Sequence, residues 1–200
     1  MITTIARDIA TNGGRVFYTG GYVRDYLLLG EAANGKDIDL EVFGLDKAKL
    51  ISVLSTYGQP IEVGKSFPII KISHHPEWDF TLPETPEVSY QEACARRDFT
   101  INAMMMDVLT GEILDFFDGQ EDLKNKLIRH TTDQVFVDDP LRAYRAAQLA
   151  ARFGFSIDAA TLELMKQNNL DNIKPERILE ELRKLLLLAP HPSLGLRYMQ

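Results

Sequence analysis

The sequence predicts an α/β protein: a head with a small mixed β-sheet and flanking helices, followed by an all-helical domain. Three observations carry this expectation. Short apolar and β-branched runs, broken by glycine, proline and polar turns, fill the first half of the 200 residues. From about Asp118 that pattern fades and apolar residues recur at helical spacing. Near the start, Gly20-Gly21 follows the apolar run Val16-Phe17-Tyr18 and opens a helical segment, an order of strand, tight turn and helix. We draw the boundary so that the head covers 1–136 and the helical domain 137–200.

Taken in order, residues 2–12 form an amphipathic helix closed by Asn12-Gly13-Gly14. Strand character covers 15–19, a helix 22–29 and a polar loop 30–36. Residues 37–43 alternate acid and apolar, as a strand does with one face toward a core. A helix spans 45–57 and stops at Gly58. Short β-like runs follow at 61–63, 67–72 and 78–82. A proline turn leads to a helix over 90–97, an apolar strand or helix over 100–108 and a hairpin-like stretch over 111–117. Helices are expected at 120–126, 140–153, 159–167 and 175–188. Asp139 and Asp158 stand where N-caps belong, Pro140 and Pro175 where the first helical residue belongs, and Gly154 where a helix ends. The last residues, 196–200, read as part of another helix, as in a piece of a longer protein.

Composition narrows the class. At 45% hydrophobic residues the chain can build a real core. Its one cysteine, Cys94, excludes an internal disulfide and fits a reducing compartment. No apolar run reaches membrane-spanning length and no signal peptide is legible, so a cytoplasmic protein is expected, with no membrane and no evident protein partner. A net charge of −7 without any basic run argues against a general nucleic-acid binder; contact with RNA needs a local patch.

The chemistry concentrates in 18–42. In a strand, Asp37 and Asp39 share a face, with Ile38 and Leu40 on the other. Adjacent carboxylates repel unless a cation lies between them, and hard oxygen donors suit Mg²⁺, which takes one or two carboxylates plus substrate phosphates. Gly20 and Gly21 before a helix suit those phosphates, because the backbone can approach and the helix N-terminus offers N–H groups. Alone, a glycine pair is a turn and an acid pair a solvated strand face. In this order, with Arg24-Asp25 between them, they point to nucleotide chemistry. Two more clusters stand out. Arg96-Arg97-Asp98, followed by Asn102, could bond ribose and phosphate. Asp139, Arg142 and Arg145 fall at i, i+3 and i+6, so an acceptor and donor forks on one helix face could match the edge of a base. The plain alternatives are a surface ion pair and ion pairs along a solvated helix.

These three motifs, GGYVRD with KDIDLEV, RRDFTINAM and DDPLRAYRAAQLAARFGF, resemble the class II tRNA nucleotidyltransferases and bacterial poly(A) polymerases over roughly 16–188. The resemblance implies a nucleotidyltransferase head of polymerase-β-like fold, followed by a helical neck that selects the nucleotide and binds RNA. It implies addition of C and/or A to tRNA 3′ ends, with CTP or ATP as substrate and Mg²⁺ as cofactor. By the same resemblance Gly20, Gly21 and Arg24 hold the triphosphate and Asp37 and Asp39 carry the catalytic metal. Arg97, Asp98 and Asn102 lie in the ribose motif. Asp139 and Arg142 read the base, and Arg145 adds a nucleotide contact. Asp79 is a candidate third carboxylate. A poly(A) polymerase or a catalytically silent binding module are the alternatives; the intact acid pair speaks against the silent module.

The chain departs from the family pattern in places. The base-reading motif begins Asp138-Asp139 where relatives have Glu-Asp, and a third arginine of some relatives is Gln148 here. Only Pro83 to Glu87, with Val88 and Ser89, separate the strand at 78–82 from the helix at 90–97. A loop this short resembles that of enzymes that add CC and stop. His74-His75, Met104-Met105-Met106 and the apolar run 185–188 read as structural.

Overall fold

The computed structural model of the protein describes residues 1–30, 37–64, 68–170 and 173–199. It divides into two compact units. One comprises Met1–Cys94 and Met104–Phe116; the other comprises Ala95–Ala103 and Phe117–Gln200. The chain thus passes between units at 94/95, 103/104 and 116/117. The change of unit at Phe117 falls close to Asp118, where β character fades, rather than at 136/137. The segment 95–103 groups with the second unit although strands flank it in sequence.

The first unit is a seven-stranded mixed sheet with helices. Its elements are α1 (Ile2–Thr11), β1 (Arg15–Thr19), α2 (Gly21–Leu29), β2 (Ile38–Phe43), α3 (Lys47–Leu54), β3 (Pro60–Val63), β4 (Ile69–Ile72), β5 (His75–Thr81), α4 (Tyr90–Ala95), β6 (Met105–Asp107) and β7 (Ile113–Leu114). The strand order is β3-β4-β5-β2-β1-β6-β7, with β2 and β5 parallel and the other neighbours antiparallel. A parallel pair needs a long crossover, and α3 with the β3–β4 hairpin supplies it. Alternation sets the two faces. Val16, Leu40, Val42, Ile70, Ile72 and Phe80 pack with Ile5 and Ile9 of α1 and with Leu50 and Leu54 of α3. On the opposite face Phe17 and Phe43 meet Tyr90 of α4 edge to face, at centroid distances of 5.0 and 4.8 Å. Met104 and Met105 are fully buried, as core filler should be. Helix α3 starts later than the expected 45 because Asp46 caps it, its carboxylate accepting from Lys49 N–H at 2.8 Å, and it ends at Leu54, before 57. The expected loop 30–36 lies, beyond Gly30, outside the described residues, as does Phe67 of the expected run 67–72.

The second unit is mostly helical. It holds a 3₁₀ turn (Thr100–Asn102), α5 (Gly119–Lys124), β8 (Leu127–Ile128), α6 (Gln134–Asp138), α7 (Arg142–Phe153), β9 (Ser156–Ile157), α8 (Ala159–Gln167), α9 (Pro175–Arg183), a π-helical turn (Lys184–Leu188) and α10 (Pro192–Arg197). The expectation of an all-helical domain is corrected here: β8 pairs in parallel with β9. Gly154 ends α7 at a left-handed φ of 68° and turns the chain back beside 127–128. Strands of two residues carry no periodicity, so the sequence does not announce them. The strand or helix expected over 100–108 begins instead with a 3₁₀ turn, because Asp98 Oδ1 takes both Phe99 N–H (2.8 Å) and the Asn102 amide (3.0 Å). The expected helix 175–188 changes at Lys184 into the π turn. That turn buries Leu185 against Ala147 and Ala151 and leaves Leu186, Leu187 and Leu188 exposed. Alanines stripe the buried side of α7, and Gly195 of α10 packs on them. A Cβ at Gly195 would stand 2.6 Å from the Ala147 carbonyl oxygen. No helix among the described residues is long and apolar enough to cross a membrane.

Candidate functional site

In the first unit the site is a consequence of strand register. Strands β1 and β2 run antiparallel, with Tyr18 opposite Leu40 and Phe17 opposite Glu41. The end of β1 therefore lies beside the start of β2, and Thr19 Oγ1 reaches the Asp39 carbonyl at 3.4 Å. Gly20 and Gly21 follow Thr19, and Asp37 stands immediately before β2. The glycine turn and the acid pair are thus neighbours in space as well as in motif order. Gly20 has φ 63° and ψ −134°, a combination open almost only to glycine, and it starts the nine-residue α2. A Cβ at Gly21 would come within 3.1 Å of the Arg24 guanidinium. Arg24 is buried and ion-paired with Asp25 at 2.7 Å. Beside the turn, Tyr18 and Tyr22 stack at 4.3 Å, and burial pushes the Tyr18 hydroxyl up to about 12.

Asp37 and Asp39 are both exposed, while Leu40 and Val42 turn into the core. On the far side of β2, the parallel register with β5 places Asp79 opposite Asp39. Asp79 is ion-paired with Lys71, whose ammonium also donates to the Pro76 carbonyl at 2.8 Å. The residues fit Mg²⁺ on their chemistry: hard carboxylates at adjoining positions, open to solvent. Among the described residues no group of three or more His, Cys, Asp or Glu forms a cage. Such a set suits an ion that keeps water and takes further oxygens from a substrate phosphate. His75, next to Glu77, stacks on Trp78 at 3.7 Å and bonds Glu77 at 2.9 Å.

The second unit gathers the other two motifs. Asp98 is buried, and its Oδ2 accepts from Arg145 Nε (2.9 Å) and Nη2 (2.7 Å). Burial works against the charge on Asp98, but Arg145, the Asn102 amide and Phe99 N–H outweigh it and hold the carboxyl below its usual range. The facing Asp98 charge in turn raises the Arg145 guanidinium. Arg142 donates from Nη2 to the Arg96 carbonyl at 2.9 Å, and its Nη1 is buried without a hydrogen-bond partner among the described residues. Thr131 Oγ1 donates to the carbonyls of Ala95 and Arg97 and so fastens the Arg97 backbone.

The common helix face expected for Asp139, Arg142 and Arg145 is not found. Asp139 precedes α7 in an extended conformation, with φ −147° and ψ 97°. Its Oδ1 caps Leu141 N–H at 3.2 Å and its Oδ2 pairs with Arg177 at 2.7 Å. Proline at 140 explains this, since the residue before proline is pushed out of the helical region. The three side chains consequently serve three partners. Sequence reasoning missed Arg177 and Glu181, both on α9. Glu181 is buried, lies 3.9 Å from Arg145 Nη1 and takes Lys184 Nζ at 3.1 Å. Their spacing of four, on a helix that otherwise shows charge, was the available signal.

Comparison with known proteins gives a consistent answer. The family model of the poly A polymerase head domain matches residues 67–129. That described as the probable RNA and SrmB-binding site of polymerase A matches 154–200. The Multifunctional CCA protein of Pasteurella multocida is 36% identical over 211 residues, covering 93% of this chain and 47% of that protein. That of Haemophilus ducreyi is 37% identical over 88% of this chain and 46% of its own length. Among solved structures, the Thermotoga maritima CCA-adding enzyme complexed with tRNA superposes with a TM-score of 0.85 at 29% identity, covering 98% of this chain and 48% of that one. A CCA-adding enzyme in complex with CTP superposes with a TM-score of 0.82. The chain spans about half the length of the curated relatives it matches. The seven-stranded sheet with its helices has the fold of these enzymes' nucleotidyltransferase head. With the RRDFT and DDPLR motifs in place, the chain belongs to the family of tRNA nucleotidyltransferases and bacterial poly(A) polymerases.

Proposed function

We propose that the protein transfers C and/or A nucleotides, without a nucleic-acid template, to the 3′ end of tRNA. The observation that carries this is the β1–β2 register, which sets Gly20 and Gly21 beside Asp37 and Asp39. In the reaction the tRNA 3′-oxygen bonds to the α-phosphorus of CTP or ATP. The bond to the β-phosphate oxygen breaks, pyrophosphate leaves and the hydroxyl proton passes to solvent. The N-terminal N–H groups of α2 and the open backbone at Gly20 and Gly21 receive the triphosphate. Asp37 and Asp39 hold Mg²⁺, which when bound neutralises phosphate charge and makes the 3′-hydroxyl more acidic. Arg24, tied to Asp25, keeps the turn in shape behind Gly21.

Asp139 and Arg142 read the base, and the unpaired buried Nη1 of Arg142 supports a donor waiting for a ligand. Cytosine and adenine both present an amino donor, which a carboxylate accepts and which uracil and guanine lack at that position. Arg145, with two N–H groups on Asp98, holds that carboxylate and the 95–103 segment in place, and its exposed part adds a nucleotide contact. Arg97 and Asn102 complete the ribose motif. Names of relatives support the substrates, since solved neighbours include complexes with CTP, with ATP and with tRNA. The short connection between Thr81 and Tyr90 favours CC addition within this reading.

One assay tests it. The full-length enzyme is given Mg²⁺ and tRNAs lacking one, two or all three 3′ nucleotides, with CTP, ATP or both. Added lengths separate CC, A, CCA and poly(A) synthesis. Asp37→Ala and Asp39→Ala each abolish incorporation at unchanged melting temperature, because both side chains are exposed. Transfer at the parental rate by either variant would sink the metal assignment.

A further inference from the structure

Helix α9 grips the segment 139–145 with two charged side chains one turn apart. Arg177 Nη2 lies 2.7 Å from Asp139 Oδ2, and Glu181 Oε1 lies 3.9 Å from Arg145 Nη1. Residues at i and i+4 share a helix face. The face therefore offers a cation to an anion and an anion to a cation, and a slipped α9 would oppose like charges.

The two contacts differ in kind. Glu181 is buried and belongs to the Asp98–Arg145 ion pair. Arg177 is 51% exposed and Asp139 27%. An ion pair this wet contributes about 0–1 kcal/mol to stability, so folding alone gives it little to do. What it fixes is direction. The terminal torsion of an aspartate is broad and roughly two-fold. Here Leu141 N–H holds one oxygen and Arg177 the other, which sets the plane of the carboxylate. Each oxygen keeps a second lone pair for an incoming donor.

We propose that Arg177 is a specificity-determining positioning residue: it holds the Asp139 carboxylate so that its remaining acceptor positions meet the amino group of cytosine or adenine and repel the carbonyl oxygen of uracil or guanine. This rests on the reading of Asp139 as a base-reading acceptor. A carboxylate free to rotate still carries the charge but loses the angle at which amino and carbonyl edges differ.

The test compares kcat and KM for CTP, ATP, UTP and GTP in the full-length enzyme on tRNA lacking its 3′ CCA. Parent, Arg177→Met, Arg177→Lys, Asp139→Ala and the Arg177→Met/Asp139→Ala double variant are measured. Arg177→Met is expected to lower the kcat/KM preference for CTP over UTP about tenfold, with an unchanged unfolding midpoint. Lysine keeps the charge without the fork and restores only part of the preference. In the Asp139→Ala background the change at 177 has no further effect on discrimination. The proposal is overturned if Arg177→Met discriminates as the parent does. It is equally overturned if KM for CTP falls at constant discrimination, the mark of a cation that merely competes with substrate for Asp139. Should Arg177→Met unfold, Arg177→Lys alone decides, since parental discrimination there removes the need for a fork. If Asp139→Ala discriminates as the parent does, the base-reading assignment fails, and the proposal falls with it. A parent that transfers no nucleotide refutes the proposed function itself.

Discussion

Asp98 shows how one residue can be legible in type and illegible in role. Its motif marks it as chemical, and the resemblance assigns it to ribose. The structure surrounds it with Phe99 N–H, the Asn102 amide and two N–H groups of Arg145, a residue 47 positions further on. No spacing rule reaches that far, because the pairing is made by the fold. Asp98 is buried but the Arg145 side chain is 41% exposed, so water partly compensates the charge left behind, and Asp98→Asn should cost about 1–2 kcal/mol in denaturant unfolding. The carboxyl is held below its usual range when folded. The unfolded chain therefore binds the proton first as pH falls, and this stabilisation, present above the ordinary carboxylate pKa, disappears as pH drops through the folded value. Asp98→Asn should accordingly flatten the acid limb of the stability profile. An unchanged limb would remove Asp98 from the group of stabilising charges.

At the scale of elements, capping and alternation were readable and short tertiary pairings were not. Asp158 caps α8 through Ala160 and Thr161 N–H, and Gly154 closes α7 in the left-handed region, as their residue types demand. The acid-and-apolar alternation of β2 marked the face that carries Leu40 and Val42 into the core, but not the exposure of Asp39, since Glu41 and Phe43 on its own face are buried. By contrast β8, β9 and α6 are two to five residues long, too short for a period. The approach of α10 to α7 was hidden for another reason. Gly195 reads as a flaw in a helix until Ala147 is seen against it. Gly195→Ala gains helix propensity yet forces a Cβ into a carbonyl oxygen and the Ala151 and Leu185 side chains. Overpacking of this kind costs about 1–3 kcal/mol, so the variant should melt lower. A higher melting temperature would show that α10 can move away without loss.

On the scale of the whole molecule, the chemistry is dispersed along the chain in a way that composition alone conceals. A net charge of −7 gives no hint of phosphate chemistry, yet the acids proposed to hold the metal, Asp37 and Asp39, are part of that negative count. What betrays function is order: glycine turn, acid pair, RRDFT, DDPLR. Order says little about which compact unit a motif joins. Residues 95–103 sit between α4 and β6 in sequence and group with Phe117–Gln200.

That excursion has a bearing on recombination. A chimera built by exchanging everything after 116 for a relative's sequence would look like a clean swap of one module. It would leave the donor's counterpart of Arg145 facing the host's Asp98, and the donor's counterpart of Thr131 facing the host's backbone at Ala95 and Arg97. The heritable block is discontinuous: 95–103 together with 117–200. Chimeras that carry both pieces from one parent should express as folded protein, and those that split them should lose solubility or melt several degrees lower. Equal stability of the two kinds would mean that the nine-residue segment 95–103 travels freely between backgrounds.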